Sequence, residues 1–224
     1  MNYRIISIGT CSHNRLWGES TVVRTAHATT TLVEDDDKLI LVDPSLPAPI
    51  LEAKFFERTG KRLADVTDVF LTTLRPTHRR ALGELAGARW YVHEPELDAY
   101  RDHLRGLLES EDRLEQEDAT SVRRDLELLG RCQPAPERFS SQVQLYPLPG
   151  PSVGSAGLVL TPATQTIIIA GDAVLTADHF QAGQVWEGCV DMDAAQESFQ
   201  DLYEVADVIV PGHDNLLMRK QNWL

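Results

Sequence analysis

The stretch Ile167-Ile168-Ile169-Ala170-Gly171-Asp172 is a β-branched run that predicts a buried strand, which turns at a glycine and leads directly into an aspartate. The stretch Val208-Ile209-Val210-Pro211-Gly212-His213 repeats this pattern with a histidine. Upstream, predicted strand 39–42 leads into Asp43, and predicted strand 68–72 leads into a loop that carries His78. A sheet fixes the position of a strand end while the turn frees the side chain, so these four polar residues are predicted to share one site.

Strands and helices alternate along the rest of the chain. Helical spacing that stops at Gly60 predicts a helix over 49–59, and Asp193 with Gln196 resembles a capping box before a second helix. Further strands are predicted at 3–8, 29–33, 89–92, 143–146 and 157–160. Strands, then interspersed helices, then strands again predict an α/β (α+β) sandwich with helices outside, built as a single domain over residues 1–224.

The segment from about 94 to 130 differs from the rest because about half of its residues are charged. Its leucines predict one long or two shorter amphipathic helices. We favour a solvated helical insertion, and a dimer arm or a lid over the site is the sharper alternative. The leucines are more numerous than a freely solvated arm needs, so we expect them to pack on the body or on a second subunit as a homodimer. They are Leu97, Leu104, Leu107, Leu108, Leu114, Leu126, Leu128 and Leu129.

Composition narrows the classes of partner. The 224 residues are 42% hydrophobic and 25% charged, as in an ordinary globular protein. A formal net charge of −13 repels phosphate backbones, so nucleic acid and anionic membrane surfaces are excluded as partners. Three scattered cysteines, with no C-x-x-C pair, are typical of free thiols in a reducing compartment. With no apolar stretch of membrane-spanning length, we expect a soluble, cytoplasmic protein.

Five short motifs occur in an order that resembles the metallo-β-lactamase-fold superfamily. They are Leu41-Val42-Asp43, the threonine-rich loop after residue 71, Leu148-Pro149-Gly150, Ala170-Gly171-Asp172 and Val210-Pro211-Gly212-His213. The resemblance covers nearly the whole chain and implies a four-layer αββα sandwich with the site at one edge between two sheets. It also implies a hydrolase that uses one or two metal ions, usually zinc and sometimes iron or manganese.

The metal ligands depart from the family pattern. The hallmark H-x-H-x-D-H falls on residues 73–78, where Thr73 and Arg75 replace the two histidines of the family's first metal site and Thr77 replaces the aspartate. The Pro-Gly-His that supplies a third ligand is Pro149-Gly150-Pro151, so that ligand is missing as well. By this resemblance the first site is lost.

The second metal site of the family keeps three of its ligands, His78, Asp172 and His213. Two imidazoles and one carboxylate form a legitimate three-ligand set with open positions for water or substrate. The leading prediction is therefore a metal-dependent hydrolase with a single divalent ion, which can be zinc, iron or manganese. Asp43, Thr73, Arg75, Thr77 and Pro151 are predicted to line the site, and its small-molecule substrate is not readable from the sequence.

The alternative is a catalytically inactive binding or scaffold module. A guanidinium at Arg75 could pair with Asp172 and replace the missing metal charge, with Arg75 and Arg79 holding an anion or a carboxylate. Thr77 also removes the usual general base. If Arg75 points into the site and pairs with Asp172, we expect no bound metal and no hydrolysis.

A rival motif, Gly150-Pro151-Ser152-Val153-Gly154, matches the G-x-S-x-G of serine hydrolases. That motif requires a strand, a sharp turn and then a helix. Residues 155–162 instead predict a strand that ends at a proline, so the serine-hydrolase interpretation fails on context. Trp17 and Trp186 flank the predicted site loops and could line a pocket.

Overall fold

The strands of the computed structural model form two sheets. The structure describes residues 1–109 and 116–219, so the prediction of one domain over 1–224 stays a prediction. The first sheet has the order β1-β2-β3-β4-β5-β6, and the second β11-β10-β9-β8-β7. The strands are β1 (Asn2–Ser7), β2 (Thr30–Asp35), β3 (Lys38–Val42), β4 (Asp68–Leu71), β5 (Arg89–Val92), β6 (Gln133–Pro134), β7 (Val143–Pro147), β8 (Ala156–Leu160), β9 (Ile167–Gly171), β10 (Val208–Pro211) and β11 (Leu217–Met218).

The parallel pairs of strands determine where the site forms. β3, β4 and β5 run parallel in the first sheet, and β9 runs parallel to β10 in the second. The carboxyl ends of parallel strands meet at one edge of a sheet, so Asp43 and the loop after β4 emerge together, as do Asp172 and His213.

The molecule has four layers of secondary structure, and an apolar cluster lies between each pair of neighbouring layers. The described helices are α1 (Ala48–Thr59), α2 (Glu94–Glu109), α3 (Gln116–Leu129), α4 (Ala177–Ala182) and α5 (Met192–Val205). One cluster joins α1, α2 and α3 to the first sheet, a second fills the space between the sheets, and a third joins α4 and α5 to the second sheet. The predicted αββα sandwich is confirmed.

The insertion consists of two helices that pack on the body. Leu97, Leu104 and Leu129 are buried against the first sheet, and the partly buried Leu107, Leu126 and Leu128 pack on the same cluster. Leu114 lies outside the described residues. Much of the apolar face of the insertion is therefore used within the chain. A homodimer through this segment stays a prediction, which light scattering tests.

Some predicted boundaries differ from the structure. The N-cap of α5 is Asp191, whose side chain accepts a hydrogen bond from the Ala194 amide, so the predicted capping box at Asp193 is wrong. The helix signal was displaced because Asp191 and Asp193 are both good cap residues. The last helix turn of the predicted 49–59 segment ends at Gly60 as expected. No described helix combines the length and the apolar character that crossing a membrane requires.

Candidate metal centre

Four strand ends bring the predicted polar residues together. Asp43 follows β3, and His78 closes a 3-10 turn, Pro76–His78, in the loop after β4. Asp172 follows β9 and His213 lies two residues beyond β10. Gly212 packs so closely on the aspartate that a Cβ there would lie 2.6 Å from Asp172 Oδ1. The glycine before the histidine is therefore required for space, whereas Gly171 has a positive φ of 53°.

Three donor atoms converge at this edge. Oδ1 of Asp172 lies 3.3 Å from Nε2 of His78 and 3.2 Å from Nε2 of His213. One potential ligand atom from each of the three residues lies within 4.8 Å of the others, and all three residues are buried. The structure thus places the sequence-predicted ligands in one cluster.

The other ring nitrogen of each histidine fixes its tautomer. Nδ1 of His213 lies 3.1 Å from the carbonyl oxygen of Thr10 and 3.0 Å from that of His27. Since a carbonyl oxygen only accepts, Nδ1 must donate. Nδ1 of His78 similarly lies 3.0 Å from Oδ2 of Asp43. In the neutral ring this leaves the lone pair on each Nε2, which is the arrangement that metal-binding histidines use.

Two buried atoms of the cluster have no hydrogen-bond partner among residues 1–109 and 116–219. They are Nε2 of His78 and Oδ1 of Asp172. Two imidazole lone pairs facing a carboxylate oxygen need a cation or a proton between them, because an unpaired buried polar atom is costly. The donor set and these two unpartnered atoms fit a divalent metal ion.

Asp43 holds His78 in place rather than joining the cluster. Its Oδ1 accepts a hydrogen bond of 2.9 Å from the Thr72 amide, and its Oδ2 accepts one of 2.6 Å from the Thr72 hydroxyl. A carboxylate behind a metal-binding histidine orients the ring and raises its basicity. The predicted site-lining residue Asp43 is therefore a positioning residue for His78.

The pKa values in the cluster reflect the opposed charges. Burial alone would lower the pKa of His78, but the carboxylates of Asp172 and Asp43 raise it to about 10. Burial alone would raise the pKa of Asp172, but the facing imidazoles of His78 and His213 hold it well below its usual value. Without a metal ion, the site therefore holds a protonated His78 beside an ionised Asp172.

A pH dependence of stability follows for the metal-free protein. Because the pKa of His78 rises from 6.5 to about 10 on folding, its contribution to stability is fully present below pH 6.5 and is lost as the pH rises through about 10. We expect the free energy of unfolding to fall over this range, measured by urea unfolding with a chelator present. The free energy of unfolding of the variant His78→Gln should fall less steeply with pH. Equal slopes for the two proteins would contradict the attribution of this pH dependence to His78.

Arg75 points into the site. Its Nη1 donates to Oδ2 of Asp172 at 2.8 Å, and its Nη2 donates to the carbonyl oxygen of Pro151. The guanidinium lies 4.3 Å from the ring centroid of Trp186, a cation–π contact. Its side chain is 25% exposed.

A cavity of about 310 Å³ opens next to Asp172 and His213, two of the three donor residues, while His78 is buried behind them. Arg75, Thr77, Asp172 and His213 line it, together with residues that the sequence analysis missed or left open: Cys11, Ser12, His13, Ala26, Pro76, Leu175 and Trp186. This volume suits a small molecule. Of the two tryptophans that could line a pocket, Trp186 lines this cavity, whereas Trp17 is half exposed and donates to Asp178.

Comparison with known protein families identifies the family of this chain. The family model described as the metallo-beta-lactamase superfamily matches residues 24–213. The chain belongs to the metallo-beta-lactamase superfamily. This superfamily match includes all three donor residues of the cluster. Curated proteins give no sequence match to the chain.

Solved structures similar to this superfamily member include a Thermotoga maritima protein assigned to the metallo-beta-lactamases, with TM-score 0.71, 18% identity and coverage of 97% of this chain and 99% of that one. The dizinc quorum-quenching lactonase AidC has a TM-score of 0.67 and 15% sequence identity, and the match covers 88% of this chain and 77% of AidC. A quorum-quenching N-acyl homoserine lactone lactonase has a TM-score of 0.64 and 19% sequence identity, and the match covers 95% of this chain and 91% of the lactonase. At such identities the likeness shows the fold.

The replaced motif positions of this superfamily member have new partners. The Thr73 hydroxyl donates to Glu96 at 2.7 Å, Thr77 lines the cavity, and Pro151 offers its carbonyl oxygen to Arg75. Arg75 thus stands at a motif position where the family resemblance implies a histidine of the first metal site. The serine-hydrolase alternative fails as expected, because strand β8 and not a helix follows Ser152.

Arg79 does not face the cavity, so the prediction that it helps to hold an anion there is wrong. Its Nε donates to the Leu74 carbonyl oxygen at 2.7 Å, and its Nη atoms donate to Asp125 at 3.1 and 2.6 Å. The buried guanidinium is held by helix α3, by its own loop and by the hydroxyl of Tyr100 in α2, to which Nη2 donates at 3.4 Å. Its neighbour Arg80 is exposed and donates to the Ala26 carbonyl oxygen.

Proposed function

We propose that this chain is a metal-dependent hydrolase of a small molecule that works with one divalent ion held by His78, Asp172 and His213. The observation that carries the proposal is the unpartnered pair of atoms, Nε2 of His78 and Oδ1 of Asp172, beside Nε2 of His213. Lactonases and other hydrolases among the structural neighbours support the reaction class. Zinc, iron and manganese all suit this donor set.

Arg75 is compatible with one ion because it uses the other oxygen of Asp172. The guanidinium binds Oδ2, and Oδ1 is the atom that faces the two imidazoles. In this proposal Arg75 supplies part of the positive charge that a first metal ion would supply in the family. Pairing of Arg75 with Asp172 is the condition under which the sequence predicts no bound metal, and that prediction stays untested. We propose that an ion binds all the same, since the pair leaves Oδ1 of Asp172 to the three-donor cluster.

The residues around the cavity have separate tasks in the proposed reaction. When bound, the divalent ion would act as a Lewis acid that polarises a carbonyl or phosphoryl group of the substrate. The guanidinium of Arg75, which lines the cavity, binds and orients a substrate oxygen through its N–H groups, and Trp186 forms an apolar wall that excludes water. His13 lines the same cavity, with Nδ1 3.2 Å from the Ser12 hydroxyl, and its imidazole can hold or move a proton where Thr77 cannot.

Elemental analysis of the purified protein, with the metal located by anomalous scattering, tests the proposal. We expect about one metal ion per chain at the three-donor cluster. We also expect hydrolysis of ester, thioester or phosphodiester probes that stops on chelation and returns on adding zinc or manganese. A well-folded protein that neither binds metal nor hydrolyses any probe would contradict the proposal.

The second candidate is a catalytically inactive binding module, and the charges of the site favour it. Two carboxylates, Asp43 and Asp172, face two cations, the guanidinium of Arg75 and the protonated ring of His78. This balance holds without a metal ion. An anion or carboxylate ligand would then bind to Arg75 in the cavity, and the same elemental analysis separates the two candidates.

We also propose a cytoplasmic location. Cys11, Cys132 and Cys189 are all free thiols in the structure, as a reducing compartment favours. Fractionation of the cells that make the protein tests this location, and recovery outside the cytoplasm would contradict it.

A further inference from the structure

One buried carboxylate connects the helical insertion to the site. Glu96 lies in the first turn of α2 and is almost fully buried. Its Oε1 accepts hydrogen bonds from the Thr73 hydroxyl at 2.7 Å and from the Leu74 amide at 3.0 Å, and its Oε2 accepts one from the Gly154 amide at 3.2 Å. Three donors from two separate loops therefore converge on a single side chain.

Both of these loops supply parts of the site. The loop after β4 carries Arg75 and His78, and the loop before β8 carries Pro151, whose carbonyl oxygen accepts from Arg75. Glu96 contacts the first loop at the two residues that precede Arg75. The loop before β8 is also held by His93, whose Nδ1 lies 2.9 Å from the Gly154 carbonyl oxygen. The two loops are thus fixed relative to one another from the start of α2.

The second helix of the insertion holds the other end of the same loop. Arg79 directly follows His78, and its guanidinium makes two hydrogen bonds to Asp125 of α3 while Nε binds the Leu74 carbonyl oxygen. The segment from Leu74 to Arg79 is therefore attached to α2 before Arg75 and to α3 after His78.

We propose that Glu96 is a positioning residue through which the α2–α3 insertion sets the places of Arg75 and His78. The insertion is then a structural support of the site rather than a solvated arm. A buried carboxylate that accepts three hydrogen bonds resists displacement, because each donor would otherwise be left unsatisfied in the interior. This role does not depend on whether the cluster binds a metal ion.

The variant Glu96→Gln tests the role, with Glu94→Gln as the matched control. Both changes remove a carboxylate from the first turn of α2, but Glu94 is exposed. The carboxylate of Glu96 accepts three hydrogen bonds. In Glu96→Gln, the NH₂ group of the new side-chain amide would face at least one of these three donating groups, which would then lose its acceptor. Backbone hydrogen exchange in 72–80 and 150–155 is expected to become about tenfold faster in Glu96→Gln and to stay unchanged in Glu94→Gln.

Zinc affinity is the second readout, measured by competition with a chelator at a temperature where both variants are folded. We expect a decrease of about tenfold in Glu96→Gln, as is typical when a residue that orients the ligands is lost. A general stabilising role would speed exchange equally in α1, which is part of neither loop, and that result would overturn the proposal. Unchanged exchange in the two loops would overturn it as well.

A second variant keeps the test decisive where Glu96→Gln does not fold. Asp125→Asn weakens only the α3 attachment at Arg79, so faster exchange is expected in 74–80 and not in 150–155. Equal exchange in both segments would contradict the positioning role. If the wild-type protein binds neither zinc nor iron nor manganese, the proposed function fails, whereas the exchange results still decide the role of Glu96.

Discussion

Replacing Arg75 by methionine is expected to raise the affinity of the three-donor cluster for zinc by about tenfold or more. The guanidinium of Arg75 donates to Asp172, which is one of the proposed ligands, and so lies next to the place where the ion would bind. Methionine keeps an apolar side chain of similar length against Trp186, so the change removes charge with little loss of packing.

The magnitude follows from the repulsion between like charges. At roughly 5 Å in a medium as polar as water, a divalent ion and a guanidinium repel by about 1.7 kcal/mol, or about twentyfold in affinity. The repulsion is larger in a less polar cavity, and removal of Arg75 also leaves the full charge of Asp172 to the ion. Because Arg75 is 25% exposed, the lower end of this range applies.

Two controls separate charge from other effects. Arg75→Lys keeps the positive charge and should leave the zinc affinity within a few-fold of the wild type, while Arg80→Met removes an exposed arginine of the same loop and should change it little. Zinc affinities measured by calorimetry decide the matter. If Arg75→Met bound zinc no more tightly than the wild type, Arg75 would not stand in for metal charge.

The sequence could predict the donor cluster because strand ends are readable. Apolar β-branched runs that stop at Asp43, Asp172 and His213 are local signals, and parallel strands place such ends at one edge. The motifs occur in the order found in the superfamily, and this resemblance implied that the two sheets pack against each other. Together these features predicted the αββα sandwich and the meeting of His78 with Asp172 and His213.

The residues that the sequence analysis missed also follow strand ends. Glu96 comes soon after β5, which runs parallel to β4, so its helix begins at the same edge as the loop that holds His78. Cys11 and His13 follow β1, which is separated from β3 by two antiparallel pairings and so runs in the same direction. The strand-end rule could have found all three, but a charged segment indicated a solvated face for Glu96.

The direction of a side chain is harder to predict than its place in the chain. Arg75 and Arg79 lie four residues apart in one loop, yet Arg75 points into the cavity and Arg79 points to α3. Asp125, the partner of Arg79, is 46 residues away in the sequence. No local pattern encodes such a contact, because it depends on how α3 packs on the first sheet.

Removing the imidazole of His213 is expected to lower zinc affinity by more than about a hundredfold, because it deletes one of the three proposed protein ligands. The variants are His213→Ala and His213→Gln. Since His213 also donates to the carbonyl oxygens of Thr10 and His27, alanine removes this donor, although each carbonyl still accepts a backbone amide of the other residue. The thermal stability should therefore fall modestly. Glutamine keeps an N–H donor for these carbonyls, so its stability should stay closer to that of the wild type.

The comparison of the two variants distinguishes a ligand from a structural histidine. If His213 binds the ion, both variants lose zinc to the same extent although their stabilities differ, and any hydrolysis is lost in parallel. His103→Ala, which removes an exposed imidazole from α2, should change neither property. Zinc binding that survived in His213→Gln would instead assign His213 to holding the chain around Thr10 and His27, and the proposed three-ligand centre would be wrong.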